Sequence, residues 1–409
     1  MPPARALLAA GVFAGIAIAV TIAWELSGDA VTDIALYRTY GERVADGLVP
    51  YRDFPFEYPP GALPLLVLPA LVTESLDAYR VAFVAELASI GVIAVLALDW
   101  ALRRTRAGDP DRSLALATVA ALPVLLGGVI LTRFDLLPAA LVVVAVGLMA
   151  AGRLRGAALV TGAGIAVKLY PAVLLPLLAV AAWRRGGRRE ALVVVSLALV
   201  PVTLAYLPFL VLGADGVLDS FGRQLGRPLQ IESLGAGMLL ALHHAFAMEL
   251  EWASGSGSQN LTGTTAEAVA VFQGVAQVAA LVLVWIGFAR GPATPERLVR
   301  YAAASIVAFV ALSKVLSPQF LVWLVLLVPL VGGYRSRTAL VLTALACALT
   351  AVWFPARYWD LVREFDPLAS WLVLCRGVTL VALLAVLTVT ARERESARSR
   401  SPAPSPGRT

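Results

Sequence analysis

The residues best suited to chemistry lie together in Asp33–Gly61, DIALYRTYGERVADGLVPYRDFPFEYPPG, directly after the first apolar segment. The stretch holds five acids (Asp33, Glu42, Asp46, Asp53, Glu57), four tyrosines (Tyr37, Tyr40, Tyr51, Tyr58) and four prolines. Carboxylates set beside apolar surface are candidates for tuned proton affinity, and so for taking a proton from a reacting group. Asp33, Tyr37 and Tyr40, spaced i, i+4, i+7, share one face of a short helix. After Gly47 the prolines rule out further helix, and the rest reads as an ordered loop pinned by aromatic rings. The plain structural alternative is a packed cap over the membrane end of the protein, with Asp33 capping the loop helix.

A second group of charges is scattered along the chain at the ends of apolar segments. It comprises Arg133 and Asp135 in LTRFDLLP, Lys168 and Tyr170 in AVKLYP, Arg223, Arg227 and Glu232, and Lys314 and Gln319 in SKVLSPQF. Cations at such depths are costly, and an anionic lipid headgroup above apolar walls would reward them. Arg133 with Asp135, and Arg52 with Asp53, read equally well as local ion pairs. Lys168 and Lys314 have no acid within four residues, which favours an external anion. Arg376, inside the last apolar segment, either pairs with an acid or serves the same cavity.

The elements that must position these groups are membrane helices. The 409 residues are 59% hydrophobic, with mean hydropathy +0.82. That composition specifies a polytopic membrane protein and excludes a soluble enzyme. Apolar segments predict twelve spans: 6–26, 79–102, 114–131, 136–151, 156–167, 171–183, 191–212, 266–288, 298–313, 319–331, 338–354 and 367–390. Residues 62–72 read as a helix lying at the outer surface, 213–265 as a second large outer loop with a Gly/Ser turn at 254–258, and 392–409 as a disordered basic tail. The first span reads as an uncleaved helix, since no small-residue cleavage site follows it. The arginine clusters fall on one side, which the positive-inside rule makes cytoplasmic, with both termini there. The chain's two lysines, Lys168 and Lys314, fall on the other side.

No phosphate-binding loop, dinucleotide fingerprint or metal-spaced Cys/His cluster is present, and nothing points to nucleic acid. Adjacent His243 and His244 diverge by about 100° on a helix and cannot chelate one metal together. Asn260 and Thr262 match a glycosylation acceptor, a pattern common by chance. Cys347 and Cys375 lie in apolar segments and imply no disulfide. A transporter or flippase of lipid-linked sugars is the main rival reading, but it should carry polar groups near the bilayer midplane in repeated halves. A non-catalytic scaffold would not need the isolated lysines.

Several motifs together resemble a known family. They are Asp33-x-x-x-Tyr37, Gly47-x-x-Pro50-Tyr51-x-Asp53-Phe54, Glu57-Tyr58-Pro59-Pro60-Gly61, Lys168-Leu169-Tyr170-Pro171 and Lys314-Val315-Leu316-Ser317-Pro318-Gln319-Phe320. The chain resembles the GT-C glycosyltransferases, in particular the actinobacterial polyprenol-phosphate-mannose-dependent α-(1→2)-mannosyltransferases of the phosphatidylinositol mannoside and lipoglycan type. The resemblance implies an all-α polytopic fold of about twelve helices with outer-face loop helices, forming one domain over residues 1–391. It implies a polyprenyl-phosphate sugar donor, a glycolipid or polysaccharide acceptor, and inverting transfer on the outer face of the plasma membrane. Asp33 is then the base, and Lys168, Lys314, Arg223 and Arg227 are candidates for the donor phosphate. Tyr37, Asp53, Glu57, Tyr58 and Gln319 are candidates for sugar or acceptor. No DxD-type acidic cluster of the metal-dependent sugar-nucleotide enzymes is present, so neither a metal nor a cofactor is expected.

Overall fold

The computed structural model describes residues 4–28, 31–105 and 109–389; the tail expected over 392–409 lies outside the described residues. The protein is an all-α polytopic membrane protein, as expected, with one small sheet added. In chain order the helices are α1 (Ala4–Ser27), α2 (Ile34–Ala45), α3 (Leu63–Leu71), α4 (Leu76–Arg104), α5 (Asp109–Ala121), α6 (Pro123–Leu126), α7 (Val129–Thr132), α8 (Leu136–Ala150) and α9 (Leu154–Val167). They continue as α10 (Leu175–Leu225), α11 (Leu234–Phe246), α12 (Thr264–Ala289), α13 (Pro295–Ala311), α14 (Phe320–Leu327), α15 (Ser336–Trp353), α16 (Tyr358–Glu364) and α17 (Pro367–Thr388). Each of the twelve expected spans contains helix. Among the described residues six helical segments are long and apolar enough to cross a membrane unaided. Of the rest, α8, α13 and α14 are shorter and buried along most of their length.

Three expectations need correction. The segment 114–131 is not one helix but α5, α6 and α7, because Pro123 cannot donate a backbone bond and Gly127 takes a positive φ of 59°. Between the expected spans 171–183 and 191–212, α10 breaks as expected at Gly186 and Gly187, where the chain reverses, so that Gly152 meets Arg185 while Gly162 meets Ala198. It then runs on past the kink at Gly213 to Leu225, well inside the stretch expected to be loop. The third correction is the sheet: β1 (Leu229–Gln230), β2 (Glu251–Gly255) and β3 (Ser258–Thr262) pair antiparallel in the order β1-β3-β2. The expected Gly/Ser turn is the β2–β3 hairpin. Ser256 and Gly257 both have positive φ, 52° and 67°, which matches the twist that two-residue hairpins require.

Two ends of the bundle differ in chemistry. At one end Arg155 binds Glu190 at 2.7 Å, Arg103 binds Asp99 at 2.8 Å, and Arg184 and Arg185 donate to backbone carbonyls of Ala289, Gly291 and Gly152. The other end carries the first loop, the sheet, α11 and α16.

Candidate active site

Backbone contacts hold the first loop in place. Tyr51 takes a positive φ of 67°, and its ring is buried against Phe56 and Phe209. Its hydroxyl donates to the carbonyl of Tyr58. The carbonyls of Phe56 and Glu57 accept from Ser220 at 3.1 Å and Gln224 at 3.2 Å on the late part of α10. Gly61 closes the loop on α9: a Cβ there would stand 2.5 Å from the Ala166 carbonyl oxygen. The EYPPG segment is thus locked one turn from Lys168.

Asp33 stands at the N-cap of α2, yet its side chain makes no capping bond. The carboxylate instead pairs with Arg133, from the α7–α8 turn, and accepts from the Tyr37 hydroxyl at 3.5 Å. Asp33 is 35% exposed, while the Arg133 side chain is 8% exposed and also donates to the Val31 carbonyl at 3.1 Å. Burial pushes the Arg133 guanidinium down to about 10, still charged at neutral pH. Tyr37 and Tyr58 pack edge-on to each other, and both contact Phe134. Asp33 and the tyrosines are therefore mounted on a rigid aromatic wall, with one carboxylate face left open.

Lys168 has an internal partner. Its Nζ lies 2.7 Å from Asp135 Oδ1, which also accepts from Trp323 Nε1 at 2.7 Å. The ammonium sits over the rings of Phe134, Phe320 and Trp323 at 4.9–5.6 Å, and Tyr170 stacks on Trp323 at 3.7 Å. Asp135 Oδ2 and the Tyr170 hydroxyl have no hydrogen-bond partner among the described residues. The local pair Arg133–Asp135 does not form. Each member of it pairs with a distant group instead.

The remaining cations gather at the sheet. Arg227 donates to Ser258 at 3.0 Å and lies in the field of Glu57 and Glu232. Lys314 donates to the Leu225 carbonyl at 3.0 Å, and its own carbonyl accepts from Gln230 N. Burial and Arg227 together push the Lys314 ammonium down from its ordinary value. Arg223, in the last turn of α10, is exposed. Glu57 is half-buried beside Gly257 of the hairpin. Gln319 is the half-buried N-cap of α14.

Asp53 is placed differently. It accepts from Val49 N at 2.7 Å and from Arg52 at 2.8 and 2.9 Å. The arginine holds its carboxyl down to about 2. It closes a turn at the surface and does not join the Asp33 cluster. The local Arg52–Asp53 pair thus forms as read.

The sequence singled out Glu232 and Arg376 separately but did not join them into the hub behind these groups. Glu232, 2% exposed, accepts from Gln230 Nε2, which also reaches Ser317 at 2.9 Å. Arg376, fully buried in α17, donates to the Glu232 carbonyl and lies 5.5 Å from the Trp353 ring. The signal was present, since Arg376 is a charge inside an apolar span, but its partner lies 144 residues away. His243 Nδ1 donates to the Met248 carbonyl just past the end of α11. Asn260 is buried and bonded to Gly255 and Ser258. Among the described residues no group of three or more His, Cys, Asp or Glu is placed to hold a metal ion.

The model of glycosyltransferase family 87 matches residues 56–318, well over half of the chain. The match takes in Glu57, Arg133, Asp135, Lys168, Arg227, Glu232 and Lys314, and begins after Asp33. Comparison with curated proteins finds no significant match. Helices, loop and charged cluster thus form the frame of a membrane-embedded sugar transferase, and the chain belongs to glycosyltransferase family 87.

Proposed function

We propose that the chain, as one domain over residues 1–391, transfers a hexose with inversion from a polyprenyl-phosphate sugar to a hydroxyl of a glycolipid or polysaccharide acceptor. Mannose, in α-1,2 linkage, is the sugar favoured by the motif resemblance. The reaction takes place at the outer face of the plasma membrane, with both termini cytoplasmic. The acceptor oxygen bonds to the anomeric carbon as the bond from that carbon to the phosphate oxygen breaks. The electron pair leaves with the phosphate, and the acceptor proton passes to Asp33. A phosphate departs as an anion, so positive charge near the departing oxygen substitutes for a general acid. Arg227 and Lys314 supply that charge, with Arg223 at the rim. Lys168, already paired with Asp135, holds the apolar floor beneath. Tyr37, Tyr58, Glu57 and Gln319 line the side where sugar and acceptor enter.

The observation that carries this reading is the half-exposed Asp33 carboxylate held against buried Arg133 at the same bundle end where Arg227 and Lys314 gather. Arg227→Ala removes a charge-assisted contact worth ~1.5–3 kcal/mol. Donor kcat/KM should fall by about 10- to 100-fold, with the thermal midpoint little changed. Arg223→Ala, at an exposed position, should cost less. An Arg227→Ala enzyme with wild-type donor kinetics would remove the phosphate from this corner of the protein.

A further inference from the structure

Glu232 lies between β1 and α11 with its Oε1 atom lacking a hydrogen-bond partner among the described residues. Three arginines from three parts of the chain face it: Arg376 of α17, Arg133 of the α7–α8 turn, and Arg227 of the loop before β1. Arg376 Nε and Nη1, Arg133 Nε and Arg227 Nε are likewise buried without partners among the described residues. Tyr358 of α16 also faces the carboxylate, and Gln230 donates to it. One of the three cations, Arg133, is shared with Asp33. With Glu57 in the field of Arg227 the cluster is close to neutral, so an added phosphate leaves an excess of negative charge, and several N–H groups are left to offer.

We propose that this cluster is an anion subsite with a proton-accepting counterion: Glu232 is ionised while the subsite holds a singly charged phosphodiester, and takes one proton from solvent when the phosphate there becomes doubly charged. The inference rests on the lipid-phosphate reading above and extends it. A polyprenyl-phosphate sugar is a diester with one negative charge. Transfer leaves a monoester, whose second ionisation near pH 6 makes it close to doubly charged at neutral pH. The acceptor proton goes to Asp33 and from there to solvent, so the extra charge stays on the phosphate. Protonating Glu232 keeps the buried charge constant and leaves Arg227 and Arg376 to the phosphate, with Arg133 shared with Asp33. Burial already pushes the Glu232 carboxyl up to about 7, so a further nearby anion shifts it toward the protonated form between pH 7 and 8. Product binding should accordingly strengthen as pH falls through that window.

The test is calorimetric titration of full-length protein in detergent with farnesyl phosphate at pH 7.5, in two buffers of different ionisation enthalpy. Wild type should take up a large fraction of one proton per farnesyl phosphate bound. Glu232→Gln, which mimics the protonated state, should take up none and at pH 8.5 should bind about tenfold more tightly than wild type. Inorganic phosphate, run in parallel, should show weaker binding and a smaller net uptake, since it releases protons of its own on binding as the dianion, and Glu232→Gln should lower that uptake as it does for farnesyl phosphate. Binding by wild type without proton uptake, or equal uptake in the variant, overturns the role of Glu232 and leaves the phosphate reading standing. No binding of farnesyl phosphate by wild type overturns that reading itself. Should Glu232→Gln fail to fold, the infrared difference spectrum of wild type decides: a new protonated-carboxyl band on adding farnesyl phosphate is expected, and its absence contradicts the proposal.

Discussion

An Asp33→Asn protein should turn over about 10²- to 10⁴-fold more slowly than wild type while folding and binding donor as before. The substitution keeps the shape and an oxygen for Arg133 and removes the capacity to accept a proton. The Asp33 side chain caps nothing, so helix α2 loses no N-terminal bond. Arg133 keeps its bond to the Val31 carbonyl, so the buried cation is not stranded. Single-turnover rates with saturating donor isolate the chemical step, and the thermal midpoint checks the fold. Near-wild-type turnover would transfer the base to Glu57, since both Asp53 oxygens are already engaged by Val49 and Arg52.

The second large effect is on stability. Lys168→Met should destabilise the protein by ~3–5 kcal/mol, because removing one partner of a buried pair leaves the other charge without compensation. Asp135 is 1% exposed and would keep only the Trp323 indole as donor. The ammonium's place over three aromatic rings would be lost as well. Replacing both charges, Lys168→Met with Asp135→Leu, should recover much of the loss, as apolar side chains of similar volume often substitute well for buried ion pairs. Thermal midpoints of the three variants in detergent measure this. A Lys168→Met protein as stable as wild type but with a raised donor KM would make Lys168 a direct phosphate ligand.

What the sequence let one read divides along physical lines. The spanning segments follow from apolar length, and the aromatic loop from prolines and tyrosines at fixed spacing, whereas the breaks that divide 114–131 and the run of α10 to Leu225 do not. The reversal at Gly186 and Gly187 was legible because the flanking segments are separately apolar and the arginines between them cannot be buried. The sheet was not legible. Its strands are short, and β1 pairs with a partner about 30 residues on, in register with Leu261 and Asn260. The site pairs were hidden for the same reason. Asp33 meets Arg133 and Lys168 meets Asp135 across the bundle, whereas neighbours in sequence suggested Arg133 with Asp135 and an unpaired Lys168. Where a local partner existed and lay at the surface, as for Arg52 and Asp53, the local reading agreed with the structure. Glu232 and Arg376 show the limit most plainly. Each is an isolated charge in sequence, and only packing of α17 against α11 makes them one cluster.

On the proposed function, sugar is moved from a lipid phosphate to an acceptor hydroxyl and not carried across the bilayer. Wild-type protein in liposomes, supplied with radiolabelled polyprenyl-phosphate-mannose and a glycolipid acceptor, tests it directly. Label should appear on the acceptor, with one polyprenyl phosphate released per sugar transferred and an anomeric configuration opposite to that of the donor. Label that crosses the bilayer still attached to the lipid phosphate, with none on the acceptor, would contradict it.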